Sequence, residues 1–487
     1  MALLSACSGV TKNTLQAPQA TPPDNNYWYD PQGTPSTGSG EQYSQIVENP
    51  VVSTADETTV TFSLKVDTAA YSNVARYINS GNLPPKDAVR TEELINYFQY
   101  DQPLPVTDGP FGIYTEIGPS PFDRSKYMAF IRVKTADIDK SALPPSNLTF
   151  LIDTSGSMSS YDKLPLLKSA FGLLVDTLGE NDTVSIVTYA GNAGVALDSA
   201  SGADKARIMD VIDSLESGGS TGGAGGIQAA YALAEKNFKK DGNNRIILAT
   251  DGDFNVGISD TDSLGDLVLA KRGDGIYLSV LGFGTGNIRD DIMETLSQKG
   301  NGNYSYIDSL STAQKVLVDE MGSNLYTVAD DVKTQVEFNP ASVTNYRLIG
   351  YENREMSNSD FANDDKGAGN IGVGTDVVVM FEITLADNPD NTLFTLNVRY
   401  KDPGQDESRL IAKPVNTNAV TQAPGTDFRF ACAVAAFGHL LRGSEYTGQV
   451  TPALVMSMAQ QSLGQDKNGY RREFISLLTK YRQITGT

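Results

Sequence analysis

Leu148-Thr149-Phe150-Leu151-Ile152-Asp153-Thr154-Ser155-Gly156-Ser157 is the stretch that decides how this chain folds. A nearly continuous apolar run stops at an acid, and small polar residues follow. Such a run reads as a strand buried on both faces, the pattern of a parallel sheet. The flanking sequence repeats the theme. Residues 164–178 are amphipathic at helical spacing, 184–189 read as a strand, and 203–215 and 226–238 read as helices. Strands at 245–250 and 276–281 flank a helical stretch at 263–270, and a helix at 288–298 precedes a last strand at 304–307. Strands alternating with helices are βαβ units. Residues 147–325 are therefore expected to form a Rossmann-like, doubly wound, mostly parallel sheet covered on both faces. Ligands of such sheets bind at the carboxyl ends of the strands, near the switch point.

The pattern changes on either side. Residues 46–145 hold alternating stretches such as 60–66 and 127–133, with two helices between 71 and 100 divided by Pro84-Pro85. From 326 to 487 the chain is first β-rich (332–338, 377–383, 395–400) and then helical at 428–441, 453–463 and 470–481. The outer strands are expected to pair into one β-sandwich with the α/β block inserted, and the C-terminal helices to follow. No internal repeat is visible.

Composition narrows the function. The 487 residues suit about three domains. With 40% hydrophobic and 20% charged residues, wholesale disorder is excluded. No apolar run is long enough to span a bilayer as a helix. Lys+Arg 38 against Asp+Glu 59 leaves a net charge of −21, which opposes a nucleic-acid partner and favours cations. His439 is the only histidine, so a zinc site with two or three histidines is excluded within one chain. Cys7 and Cys432 are the only cysteines, which rules out a disulfide framework and a CxxC metal site.

Three segments carry chemistry. Asp153-Thr154-Ser155-Gly156-Ser157 follows the first strand of the block, a D-x-S-x-S pattern. Gly218-Gly219-Ser220-Thr221-Gly222-Gly223 sets Thr221 in a glycine-rich loop before a helix, and Asp251 follows a later strand in Thr250-Asp251-Gly252-Asp253. Two carboxylates and three hydroxyls in one crevice make an all-oxygen site. That chemistry suits a hard divalent cation, Mg²⁺ first and Mn²⁺ or Ca²⁺ as alternatives.

At these residues the chain resembles the von Willebrand factor A domain and its metal-ion-dependent adhesion site. The resemblance implies direct ligation by Ser155 and Ser157, and direct or water-mediated ligation by Thr221. It implies that Asp153 and Asp251 hold metal-bound waters. Hydroxyl ligands leave the ion under-neutralised, so the expected partner is a protein that supplies an Asp or Glu. The segments at 62–74, 89–98, 348–354, 399–401 and 427–431, with Asp360-Phe361, look like parts of bacterial envelope lipoproteins built around such a domain. Leu4-Ser5-Ala6-Cys7 resembles the lipobox of those lipoproteins, which implies acylation of Cys7. A complete signal adds a charged region and an apolar region of about 7–15 residues; either the true start is therefore expected upstream of Met1 or the signal has been trimmed. Residues 1–7 are then the end of a signal, and 8–45 a Pro-, Ser- and Thr-rich tether. Ser8 after the cysteine implies the outer membrane if the source is Gram-negative.

The expected function is a lipid-anchored, metal-dependent protein-binding protein of the bacterial envelope, not an enzyme. Its rivals are a metal-assisted hydrolase and a structural envelope component whose metal only stabilises the fold. A hydrolase needs a base to activate water, and the crevice offers no histidine. Other features have plainer readings. Asp153 lacks the second acid two residues on that an aspartyl-phosphate site wants. Gly282-Phe283-Gly284-Thr285-Gly286-Asn287 lacks the last glycine of a dinucleotide loop and reads as a turn at a strand end. The glycine-rich loop at 218–226 lacks the lysine of a P-loop. His439 and Cys432 read as helix core, and Asn363-Asp364-Asp365 as a solvated loop, with a Ca²⁺ site as the alternative.

Overall fold

The computed structural model describes residues 40–65, 67–104, 106, 109–137, 142–190, 193–219, 224–252, 261–364 and 366–487. The lipobox, most of the tether, Thr221 and Asp253 lie outside these residues. The N-terminal part supplies β1 (Val52–Ser53), β2 (Thr59–Ser63), α1 (Ala69–Asn79), α2 (Thr91–Asn96), β3 (Phe111–Pro119) and β4 (Tyr127–Thr135). The α/β part follows with β5 (Ser146–Asp153), α3 (Leu164–Thr177), β6 (Thr183–Tyr189), β7 (Ala193–Ser201), α4 (Lys205–Asp213) and α5 (Ala224–Lys236). It continues with β8 (Asn243–Thr250), α6 (Thr261–Gly273), β9 (Ile276–Phe283), α7 (Asp290–Lys299) and β10 (Asn301–Ile307). Two short helices, α8 (Leu310–Gln314) and α9 (Met321–Leu325), lead out of it.

The α/β sheet runs β10-β9-β8-β5-β6-β7, parallel throughout except for the antiparallel β6–β7 edge. β5 is buried at every position, as its apolar run requires. Leu148, Phe150 and Ile152 pack toward Leu167, Phe171 and Leu174 of α3. Phe150 and Phe171 stack with ring centroids 4.5 Å apart. Leu151 points the other way, into a core with Ile227, Ala230 and Tyr231 of α5. β7 escapes a reading by pattern because most of its residues face solvent; only Leu197 and Ala200 are buried.

The strands on either side of the α/β part do combine. The C-terminal strands are β11 (Thr327–Phe338), β12 (Val343–Ile349), β13 (Glu355–Met356), β14 (Gly369–Gly372), β15 (Asp376–Leu385), β16 (Thr392–Lys401) and β17 (Ser408–Asn416). One sheet runs β1-β12-β15-β4-β3 and the other β13-β2-β11-β16-β17, with β14 also on β11. Each therefore mixes N- and C-terminal strands: β2 pairs antiparallel with β11, and β4 with β15. Phe62, Ile131, Val336, Phe338, Phe381 and Leu396 share the core between the sheets. The alternate residues Met128, Phe130, Val378 and Met380 face a helical layer instead. That layer is α1, α2, α10 (Thr426–Arg442), α11 (Pro452–Gln461) and α12 (Tyr470–Thr485). No helix among the described residues is long and apolar enough to cross a membrane. His439 is buried on α10 and stacks on Phe122 at 4.5 Å; burial holds it neutral, with its pKa pushed down to about 3. Cys432 is a free, buried thiol on the same helix.

A buried charge cluster ties the parts together. Arg90, just before α2, donates to Glu93 at 2.5 Å and reaches Asp290 of α7 at 2.6 Å. Arg354 joins Asp67 at 2.8 Å and Glu294 of α7 at 3.4 Å. Asp67 also accepts the Tyr304 N–H of β10 at 2.9 Å. The described end of the segment read as a tether, from residue 40, is held as well: Glu41 pairs with Arg76 of α1 at 2.9 Å and accepts the Gly286 N–H at 3.0 Å.

Glu92, one residue from this cluster, is 2% exposed, and its Oε2 finds no donor among the described residues. Burial, with the carboxylate of Glu352 beside it, pushes its pKa up to about 7. The folded state therefore binds a proton that the unfolded chain releases above its ordinary carboxylate value. The stability this proton contributes is present below pH 4.5 and is lost as pH rises to 7. Glu92→Gln should remove that dependence. Between pH 5 and pH 8, the stability of the variant relative to the natural chain should rise by about 1–3 kcal/mol in denaturant titrations. A constant difference across that range would contradict the assignment.

Candidate metal-binding crevice

β5 and β8 are neighbours in the sheet, and both end in acids at the same edge. Asp153 closes β5, and Asp251 follows Thr250, the last residue of β8. Both carboxylates are fully buried. After Asp153 the chain turns into a loop in which the Ser155 N–H donates to Asp153 Oδ1 at 2.8 Å. The Ser155 and Ser157 hydroxyl oxygens lie 2.9 Å apart. The fold thus gathers four of the five predicted residues, Asp153, Ser155, Ser157 and Asp251, at one edge.

Thr221 lies outside the described residues; the residues on either side of 220–223 are described. The Gly218 N–H donates to Thr154 O at 2.8 Å, and the Gly156 N–H donates to Gly219 O at 3.2 Å. On the other side α5 begins at Ala224, and at Gly226 a Cβ would stand 2.8 Å from that of Tyr189. Gly252 is held at φ +99°, and a Cβ there would meet the backbone of 287–289 at 2.7 Å. Gly252, just after β8, therefore lies tight against the backbone that follows β9.

The electrostatics fit a cation. Burial, with the charge of Asp251 nearby, raises the Asp153 pKa to about 6 against the hydrogen bonds from Ser155 and Thr250. Two carboxylates in one buried crevice repel, and a bound positive charge relieves that repulsion. Convergent hydroxyls add neutral oxygen donors. Among the described residues no three His, Cys, Asp or Glu side chains cluster as a metal site. The candidate ligand oxygens among the described residues are those of Asp153, Asp251, Ser155 and Ser157.

Three contributors were not foreseen. Thr250 Oγ1 donates to Asp153 Oδ2 at 3.3 Å and accepts the Gly252 N–H at 3.2 Å. Tyr189 is fully buried at the end of β6, and its carbonyl accepts the Thr154 N–H at 2.9 Å. Lys163 donates to Asp251 Oδ2 at 2.8 Å. Thr250 and Tyr189 carried a usable signal, since each ends a strand at the edge where ligands bind. Lys163 carried none, because a lone lysine before a helix reads as surface. At the other motifs, Gly284 does stand in a turn just after β9, at φ +72°. Asp364 pairs with Arg399 at 2.9 Å, and Asp365 lies outside the described residues.

Three family models match the chain. One, described as von Willebrand factor type A domain, covers residues 147–320. A second, described as von Willebrand factor, covers 37–129. A third, described as Uncharacterized protein YfbK, C-terminal, covers 323–393 and 385–484. "Uncharacterized protein YfbK" from Escherichia coli is 46% identical over 90% of this chain and 80% of its own length. "Uncharacterized protein sll0103" from Synechocystis is 28% identical over 40% of this chain and 44% of its own. Among solved structures, a von Willebrand factor type A protein from Catenulispora acidiphila aligns at a TM-score of 0.43. It is 17% identical, over 77% of this chain and 91% of that one.

Replacing Thr250 tests the support beneath Asp153. Thr250→Val keeps the shape but leaves the Gly252 N–H without this acceptor and Asp153 Oδ2 without this donor, the Ser155 N–H on Oδ1 remaining. Unfolding free energy in chelator should drop by about 1–3 kcal/mol. An unchanged urea midpoint would show that these bonds do not hold the crevice.

Proposed function

This chain belongs to the family of the Escherichia coli protein YfbK, built around a von Willebrand factor type A domain, and on that premise we propose that it is a lipid-anchored protein-binding module of the bacterial envelope that holds its partner through a divalent cation. The observation that carries this reading is the pair of fully buried carboxylates, Asp153 and Asp251, beside the converging hydroxyls of Ser155 and Ser157. Ser155 and Ser157 would ligate Mg²⁺ directly, with Thr221 as a further ligand and the two acids behind the ion's waters. Mn²⁺ and Ca²⁺ share the same oxygen preference. When bound, the cation supplies an under-neutralised positive centre that a partner's Asp or Glu completes.

The chain's own −21 charge repels an acidic partner at long range, so a local ion is what makes such contact favourable. A binding role also suits a crevice in which, among the described residues, no histidine stands. The only histidine is buried against Phe122 on α10 and held neutral. Cys7, with the tether behind it, would fix the module to a membrane surface by lipid, and outer-membrane placement follows for a Gram-negative source.

Calorimetry with MgCl₂ or MnCl₂ tests the metal. One site per chain is expected in the natural protein and none in Asp153→Ala, with far-UV circular dichroism unchanged. Equal affinity in the variant would refute the site. A crosslinking pull-down from envelope extract should then lose its partner on chelation and on Ser155→Ala. The anchor is tested by fractionating cells that express the chain behind a complete lipoprotein signal. Cys7→Ser should move it from the membrane to the soluble fraction, and an unchanged distribution would exclude lipid attachment at Cys7.

A further inference from the structure

Lys163 is a cation that the fold drives into the crevice. It stands at the residue before α3, and its backbone carbonyl accepts the Leu167 N–H at 2.8 Å. From there its side chain reaches Asp251, with Nζ 2.8 Å from Oδ2; the lysine side chain is 7% exposed and the carboxylate 0%. The path is built for it. At Gly284, held at φ +72°, a Cβ would fall 2.2 Å from Lys163 Cε and 2.3 Å from Cγ. Any other residue at the turn after β9 would occupy the space of the lysine stem. An exposed pair such as Lys236 with Asp198 has no comparable enclosure.

A buried ammonium is costly to desolvate, and α3 could begin with an uncharged residue. The charge balance supplies a use for it. In formal charge Asp153 and Asp251, set behind the ion's waters, balance a divalent ion, although its direct hydroxyl ligands do not. With Lys163 against Asp251, the loaded crevice keeps one unit of positive charge. Resting on the metal-binding reading above, we propose that Lys163 is the specificity-determining residue of this crevice. Its ammonium balances Asp251 in the metal-free protein. It opposes the incoming ion, so that metal affinity is held down, and it leaves the loaded site net positive and therefore selective for an anionic partner group. Like charges so close in a water-poor crevice interact strongly, so Lys163 acts on metal affinity without ligating the metal.

The test uses the full folded chain, with Mn²⁺ as the probe. Lys163→Gln and Lys163→Met each remove the charge, the first keeping a hydrogen-bond donor in case the second folds poorly. Lys236→Gln removes one positive charge from the surface as a control. In chelator, both Lys163 variants should melt below the natural chain. In calorimetry they should bind Mn²⁺ about tenfold or more tightly, with a larger rise in melting temperature on loading, and the control should match the natural chain. Lower melting with an unchanged Mn²⁺ dissociation constant would make Lys163 a structural residue and overturn the proposal while the metal site stands. Weaker Mn²⁺ binding in the variants would overturn it too. No Mn²⁺ binding by the natural chain or by any variant would overturn the metal reading, and this proposal with it. Binding by the variants alone would support it.

Discussion

Arg90 stands where the separate parts of this molecule meet, and its pairing with Asp290 is the constraint on which the arrangement depends. The sandwich is made from the two ends of the described chain, and the α/β part leaves it after β4 and returns at β11. Sheet hydrogen bonds fix the sandwich, but none of them holds α7 against the segment that follows β2. The buried charges do: Arg90 and Asp67 come from the N-terminal part, Asp290 and Glu294 from α7, and Arg354 from the C-terminal part. Compared with a well-packed apolar contact, such a cluster adds little net stability. Each charge is nevertheless stranded if its partner moves, at a cost of about 3–5 kcal/mol for a broken buried pair. That penalty makes one orientation of the α/β part much better than any other.

The crevice follows the same logic on a smaller scale. Parallel strands end at one edge, and β5 and β8 are neighbours, so Asp153 and Asp251 are brought together by topology. Their mutual repulsion and desolvation are the crevice's latent energy. Hydrogen bonds from Ser155 and Thr250 offset part of it at Asp153, and Lys163 offsets it at Asp251. The two acids are thus stabilised by different means, one by neutral donors and the other by a charge.

The α/β part was legible because its strands are buried on both faces, and burial on both faces writes itself as a continuous apolar run such as 148–152. The sandwich was legible as strands, through alternation in segments such as β4, where Ala129, Ile131 and Val133 face one core and Met128 and Phe130 another. β7 was not, because an edge strand with most positions in solvent has no apolar period to read. Glu41 was not, because a single acid in a polar stretch looks solvated until Arg76 of α1 is seen beside it.

By itself the sequence determined most of the strands and helices of the α/β part, that a D-x-S-x-S loop follows its first strand, that Thr221 stands in a glycine-rich loop before a helix, and that Asp251 follows a later strand. Those are local facts, set by side-chain period and by the chemistry of short motifs. Only the tertiary structure decided that Lys163 pairs with Asp251 across the turn at Gly284, and that Arg90 meets Asp290 two hundred residues away. Which charges become buried, and against what, depends on how layers pack. A charged residue carries no mark of that in its neighbours along the chain, because its environment is made by segments distant in sequence.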